Sequence, residues 1–284
     1  MSSRIFQEIL GQQQAKKKFL CVGLDPDWEM IPQRFKDENN NALDATLAFL
    51  KWIVDQTGDI VGAFKPNIAF FSESPMMLEV LRDIIEYINK KFPEVLVILD
   101  FKRGDIGKTN AGYVREFNYY GGDAMTIHSY LGRQANLPFL NLVDKGIFIL
   151  CHTSNKGAEE IQELIVKIRG EDMYRNGDFP VFQLLARNIA SEWNELGNCG
   201  LVVGATFPEQ LKVVRREIGD GMTILIPGVG TQGGDLEKSV KNGMDSTGSG
   251  FLINVSSGVI YKPDPRKQAL DYHNQILACL PKTA

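Results

Sequence analysis

Short runs of apolar, often β-branched residues alternate along this chain with longer segments whose apolar positions recur every three or four residues. The runs are FLCVGL, IVGAF, VLVILD, DAMTIH, IFILCH, GLVVGA, TILIPG and FLINVS. They are apolar at nearly every position, as strands covered on both faces must be. Between them ALDATLAFLKWIVDQ, MMLEVLRDIIEYINKK, KGAEEIQELIVKI and FPEQLKVVRREI each keep one polar face and predict helices. Repeated strand–helix units predict a parallel sheet, and eight strands are the number that closes a barrel, so the expected fold class is α/β, a (β/α)8 TIM barrel. No Pro/Ser-rich linker, low-complexity tract or fixed-period repeat divides the chain, which assigns residues 1–284 to a single barrel domain. Residues 1–17, with QEILGQQQAKKK, predict an outer helix beside the first strand, and EDMYRNGDFP predicts a surface loop.

Composition narrows the function classes. With 44% hydrophobic and 23% charged residues the chain has ample material for a core. A net charge of -4 with scattered Lys and Arg lacks the basic stripe that nucleic acid requires, and leaves room for a small anionic ligand. MSSRIFQEILGQQQAKKK has no apolar signal core and no run approaches the roughly 20 residues that span a bilayer, so no membrane partner is expected and the expected location is the cytoplasm. Cys21, Cys151, Cys199 and Cys279 form no CxxC pair and read as reduced thiols. His128, His152 and His273 form no HExxH-like pair, which argues against a histidine-built metal site.

Barrel enzymes carry their chemistry at the carboxyl ends of the strands, and the polar residues of this chain gather at those positions. Asp25 follows the first run, Lys65 and Asn67 the second, Asp100 and Lys102 the third, and His128 the fourth. Thr153, Ser154 and Asn155 follow the fifth, Thr206 the sixth, IPGVGTQGGD with Pro227 the seventh, and Asn254 with Ser256 the eighth. In LDFKRGDIGKT, Asp100 and Lys102 are two apart and should share a strand face, where each keeps the other ionised; Lys65 from the next strand could extend them into an alternating chain of charges. Asp105, beyond Gly104, could turn back into the site or outward to a second subunit. A structural salt bridge at a strand end is the competing account. The glycine-rich segment after the seventh strand suits a phosphate held by backbone N–H groups and a helix amino terminus, or is a plain turn. Ser154 and Asn155 suit either contact with a polar ring or a cap for KGAEEIQ. His128 reads as a hydrogen-bonded interior histidine rather than a base, and Phe70, Phe71 and the tryptophans as core.

Taken in order, FKPN, LDFKRGDIG, CHTSNKG, VVGAT and IPGVGTQGGD resemble the orotidine 5′-phosphate decarboxylases, in particular their longer bacterial branch, from the first strand to Tyr261. The resemblance implies cofactor-free loss of the C6 carboxylate from a pyrimidine nucleotide, giving uridine 5′-monophosphate, in a homodimer with no metal. It implies that Lys65, Asp100, Lys102 and Asp105 are the charged tetrad, with Lys102 protonating C6 and Asp105 delivered across the dimer interface together with Ile106 and Thr109. Asp25 resembles the ribose-binding carboxylate. Ser154 and Asn155 stand where the family meets the pyrimidine, and Gln232, Gly233 and Gly234 where it meets the phosphate. Asn67, Pro227, Asn254 and Ser257 complete the expected substrate-binding set.

Two departures stand out. After the fourth strand the family's N-P-Y reads His128-Ser129-Tyr130, and after the eighth its N-V-S-R-G reads Asn254-Val255-Ser256-Ser257-Gly258, without the phosphate-binding arginine. Arg266, Lys262 or backbone N–H groups near Gly234 and Gly258 are the conceivable substitutes. Two alternatives compete: a phospho-ligand-binding barrel with weakened or lost turnover, motivated by Ser257, and a magnesium-dependent sugar-phosphate decarboxylase or aldolase. The second calls for a glutamate near the second strand, where this chain reads FKPN.

Overall fold

All eight predicted runs are strands in a computed structural model, which describes residues 4–169, 177–230 and 233–281. They are β1 (Leu20–Leu24), β2 (Ala63–Pro66), β3 (Leu96–Arg103), β4 (Ala124–Ile127) and β5 (Gly146–His152), then, after a short pair β6 (Ile165–Ile168) and β7 (Gly177–Pro180), β8 (Cys199–Val203), β9 (Ile224–Pro227) and β10 (Phe251–Val255). The eight long-range partners close in the order β1-β10-β9-β8-β5-β4-β3-β2, every pairing parallel. Successive strand residues face opposite sides. Cys21 joins the barrel interior while Leu20, Val22 and Leu24 join the layer under the helices, and both layers are apolar, which is why the runs look continuous in sequence.

The interior is filled by Leu96, Ile98, Phe148, Val202, Leu225 and Leu252, with the small Cys21, Ala63 and Ala124 leaving room for them. The amino-terminal helix, Phe6–Ala15, takes part in this core and is not an outer helix. Phe6 meets Phe148 edge-on at 5.9 Å, and Arg4 grips Asp123 and the Val95 carbonyl at the amino-terminal strand ends. A side chain at Gly146 would collide with the Phe6 ring, so glycine is needed there. The helix closes the floor of the barrel because its large apolar residues, Phe6, Ile9 and Leu10, gather at its amino-terminal half, too few to cover an outer strand yet sufficient to plug an opening.

Helices Ala42–Thr57, Pro75–Lys91 and Pro208–Ile218 form as their periodicity requires, the first two capped by Asn41 and Ser74. KGAEEIQELIVKI does not form the expected helix. Only Glu159–Gln162 is helical, and Ile165–Ile168 pairs antiparallel with Gly177–Pro180, so the end of EDMYRNGDFP is strand rather than loop; its residues up to 176 lie outside the described ones. The β-branched IVKI alternates exposed and half-buried positions and suits a strand once a partner is near. The helix that packs after β5 is Val181–Asn188.

Candidate active site

β3 runs beyond its neighbours, and its pairing with β4 slips between Leu99 and Arg103. Within that irregularity Lys102 has φ 48°, a left-handed conformation that costs a lysine on the order of 1–3 kcal/mol. Asp100 and Lys102 do share the cavity face, but a bulge brings them there instead of simple alternation. Thr126 of β4 holds the bulge: its hydroxyl accepts from the Lys102 N–H at 2.9 Å and donates to Asp100 Oδ1 at 2.9 Å.

Asp100 is the centre of an alternating chain. Oδ2 lies 2.7 Å from Lys65 Nζ and Oδ1 lies 2.6 Å from Lys102 Nζ. Lys65 and Asp100 are 5% and 8% exposed, whereas the Lys102 side chain is 43% exposed and reaches into the open cavity. Burial alone would lower the pKa of Lys65, but the carboxylates of Asp100 and Asp25 outweigh it and hold that pKa above the ordinary lysine value. Burial alone would raise Asp100, and the two ammonium groups hold it well below the carboxylate range. Lys65 and Asp100 are therefore both held in their charged forms at neutral pH.

Removing the hub leaves a buried ammonium short of its counter-charge, so Asp100→Asn is expected to cost about 3–5 kcal/mol at pH 7. A carboxylate with a depressed folded pKa stabilises above the unfolded value of about 3.9 and loses that contribution as pH falls towards the folded value. Lys65, raised, stabilises below about 10.4 and loses its contribution as pH climbs through the folded value. The Asp100→Asn deficit should thus be full between these limits and shrink below about pH 4, measured by urea denaturation at a series of pH values.

A cavity of about 1150 Å³ opens over this chain. Asp25, Lys65, Asn67, Asp100, Lys102, Ser154, Asn155, Pro227, Asn254 and Ser257 all line it, so the barrel brings together most of the residues singled out from sequence. Asp25 Oδ1 is buried without a hydrogen-bond partner. Its main chain is fixed by Tyr261, whose hydroxyl donates to the Asp25 carbonyl at 2.7 Å and accepts from the Asp27 N–H at 2.6 Å. Ser154 and Asn155 do not cap the helix Glu159–Gln162, which has no side-chain cap.

Other residues stand elsewhere. Asp105, Ile106 and Thr109 do not line this cavity; Ile106 is 64% exposed. Asn110 shapes their turn, accepting from the Asp105 N–H and donating to the carbonyls of Asp105 and Ala135. Gly233 and Gly234 are also off the cavity wall, and Gln232 lies outside the described residues. The N–H groups of Gly230, Gly233 and Gly234 donate to carbonyls within their own loop, a fold that needs φ of 96°, 79° and 84° at Gly228, Gly230 and Gly233. The next helix, Leu236–Gly243, already has the Asp235 carboxylate at its amino terminus. The wall here is made instead by Gly228, Val229, Ser256 and Ser257. Neither conceivable replacement cation reaches it: Arg266 forms a two-bond pair with Asp59 at 2.7 and 2.8 Å, and Lys262 is exposed outside the lining.

His128 is not the expected interior histidine: it stands on the cavity wall, where partial burial and the neighbouring Lys102 lower its pKa, and the histidine buried in the interior is His152. Thr126, Gln162 and Tyr261 also line the cavity and were not singled out in sequence. Thr126 could have been found, since it lies two residues before His128 and therefore on the same strand face. All four cysteines are free, and among the described residues no three His, Cys, Asp or Glu side chains gather as metal ligands would.

An alternating lysine–aspartate–lysine chain at the carboxyl ends of barrel strands, beneath a large cavity, is the site of a (β/α)8-barrel enzyme. Residues 18–272 match the model of the Orotidine 5'-phosphate decarboxylase / HUMPS family. The chain is 42% identical over 259 residues to the orotidine 5′-phosphate decarboxylase of Ralstonia pickettii (strain 12J), covering 91% of this chain and 90% of that one. It is similar to the structure of Leishmania donovani OMP decarboxylase, with a TM-score of 0.81 and 33% identity over 97% of this chain and 98% of that one. The structure of Leishmania donovani UMP synthase matches with a TM-score of 0.84 and 35% identity over 97% of this chain, which spans only 56% of that longer protein. The chain belongs to the orotidine 5′-phosphate decarboxylase / HUMPS family.

Proposed function

We propose that this protein converts orotidine 5′-monophosphate to uridine 5′-monophosphate, a step of pyrimidine biosynthesis, without a cofactor. The observation that carries the reading is the Lys65–Asp100–Lys102 chain, with one ammonium buried and the other reaching into the cavity. Breaking the bond between C6 and the carboxylate leaves an electron pair on C6 that the ring delocalises poorly. Lys102 Nζ meets that charge as it develops and transfers a proton to C6, then regains one from water. Lys65 and Thr126 fix Asp100, and Asp100 fixes the ammonium, so the field is in place before the substrate arrives.

In the same reading the unpartnered Asp25 Oδ1 accepts a ribose hydroxyl, Ser154 and Asn155 meet the pyrimidine, and the wall from Pro227 to Val229 with Ser257 meets the phosphate. Asn67 and Asn254 contribute polar contacts from β2 and β10, and Gln232, Gly233 and Gly234 follow on the phosphate loop. Asp105, Ile106 and Thr109 serve the site of a second subunit in a homodimer. The free thiols suit a reducing compartment, and we infer a cytoplasmic enzyme.

A spectrophotometric assay tests the activity: the absorbance of orotidine 5′-monophosphate should decay at the same rate with and without a chelator, with uridine 5′-monophosphate accumulating. A rate abolished by chelation would point to the magnesium-dependent chemistry of the sister enzymes, and binding without decay to a protein that has lost turnover. Ser257 supplies a further expectation. A charge-assisted bond to phosphate contributes roughly 1.5–3 kcal/mol, so Ser257→Arg should lower KM about ten- to a hundredfold for the nucleotide and leave turnover of the nucleoside unchanged. An unaltered KM in steady-state kinetics would mean that this wall does not meet the phosphate.

A further inference from the structure

His152 is buried completely, yet none of the proposed chemistry uses it. It ends β5, between Cys151 and Thr153 on the cavity wall, and its own ring points away from the cavity into the helix layer. There it lies edge-on to Phe182 at 5.0 Å and to Phe207 at 4.5 Å. Its Nε2 is 3.1 Å from Glu163 Oε1, and the same oxygen accepts from Gln210 Nε2 at 2.8 Å. Burial lowers the pKa of the ring and Glu163 opposes that, so the neutral ring donates from Nε2 while Nδ1 has no partner.

The neighbour of Glu163 turns to the other side. Gln162 accepts from the Thr153 N–H at 2.8 Å, donates to Thr153 Oγ1 at 2.9 Å, and lines the cavity. Residues 162 and 163 thus fasten the far end of the segment 153–163 to its own root, one through the cavity face and one through the helix layer. Between the two fastenings lie Ser154 and Asn155. Thr206 Oγ1 adds a bond to the Ser154 carbonyl at 3.3 Å.

We infer that the His152–Glu163 pair is a latch that holds Ser154, Asn155 and Gln162 against the base of the bound nucleotide, making His152 and Glu163 positioning residues for pyrimidine recognition. The inference rests on the reading above that Ser154 and Asn155 meet the pyrimidine. Glu163 is the better point of attack, because a glutamine there still offers an oxygen to His152 and Gln210 whereas an alanine does not. The base end alone should feel the change, since the hydrogen bonds of Gln162 and Glu163 run to Thr153, His152 and Gln210, at the root of the segment that carries Ser154 and Asn155.

Isothermal titration of uridine 5′-monophosphate and of ribose 5-phosphate, which lacks the base, separates the ends of the site. Glu163→Ala should weaken uridine 5′-monophosphate about tenfold and ribose 5-phosphate less than about twofold, and Glu163→Gln should keep both near the parent. His152→Phe, which keeps an aromatic ring edge-on to Phe182 and Phe207, should reproduce the alanine pattern and serves if Glu163→Ala does not fold. Equal weakening of both ligands, no weakening, or a glutamine variant as weak as the alanine one would overturn the latch. A parent that binds ribose 5-phosphate but gains nothing from the base would instead overturn the base-site reading, and the latch with it. A parent that binds the nucleotide without decarboxylating its orotidine analogue would remove the proposed reaction while leaving the latch intact.

Discussion

Lys102→Ala is expected to lower kcat by roughly 10⁴-fold or more, combining the loss of a general acid with the loss of a preorganised charge. No other ammonium can take its place: Lys65 is buried and already bound to Asp100, and among the described residues no further Lys or Arg lines the cavity. His128 stands on the same wall, but burial, the larger of the two causes that lower its pKa, still biases it towards the neutral form once Lys102 is gone. Binding of uridine 5′-monophosphate should stay close to the parent, because Asp100 keeps Lys65 and Thr126 as partners and the walls from Asp25 to Ser257 are untouched. Single-turnover kinetics beside a calorimetric titration of the product measure the two quantities separately. Retention of more than a hundredth of the parent kcat, a barrier change under about 2.7 kcal/mol, would falsify the assigned role.

The barrel was legible because both faces of its strands are apolar, so each of the eight runs announces itself without any alternation to decipher. Asp100 and Lys102 were legible for the complementary reason: charges that terminate a dry strand require a partner, and Lys65 was the nearest candidate. The route by which they meet was not legible. The left-handed Lys102 and the bulge around it depend on Thr126, a residue from another strand whose threonine would pass for ordinary strand composition. Strand parity places His128 on the inward face it shares with Thr126, but it would have turned His152 inward as well, with Phe148 and Leu150; the slip in pairing between Leu150 and His152 sends that ring into the helix layer instead. Periodicity misled at Ile165–Ile168, where four residues fit either a helix face or a strand and only the antiparallel partner Gly177–Pro180 decides. The place of the glycine-rich loop after the seventh strand suits either an anion cradle or a plain turn, because whether a backbone N–H faces a ligand or its own loop depends on the turn closed by Gly230 and Gly234, which sequence does not specify.

A mixture of two inactive chains, Lys102→Ala and Asp105→Ala, should regain about a quarter of the parent activity once refolded together. If the chains pair at random, half of the dimers are hybrids, and in each hybrid one of the two sites combines the native Lys102 of one chain with the native Asp105 of the other. The geometry motivates the experiment. Asp105 and Ile106 lie off the cavity of their own chain, their turn is held rigidly by Asn110, and Ile106 is left 64% exposed at the start of helix Gly107–Tyr120. That helix packs on helix Gly132–Leu140, which follows the exposed side chains of Tyr130 and Leu131, so the apolar surface continues around the rim where Tyr130 lines the cavity. Exposed apolar side chains beside a rigid, charged turn are what a partner subunit would cover. Each variant assayed alone supplies the baseline, and a dilution series should show the regained activity falling as dimers separate. Activity that never rises above that baseline, although sedimentation shows mixed dimers, would return Asp105 to the site of its own subunit.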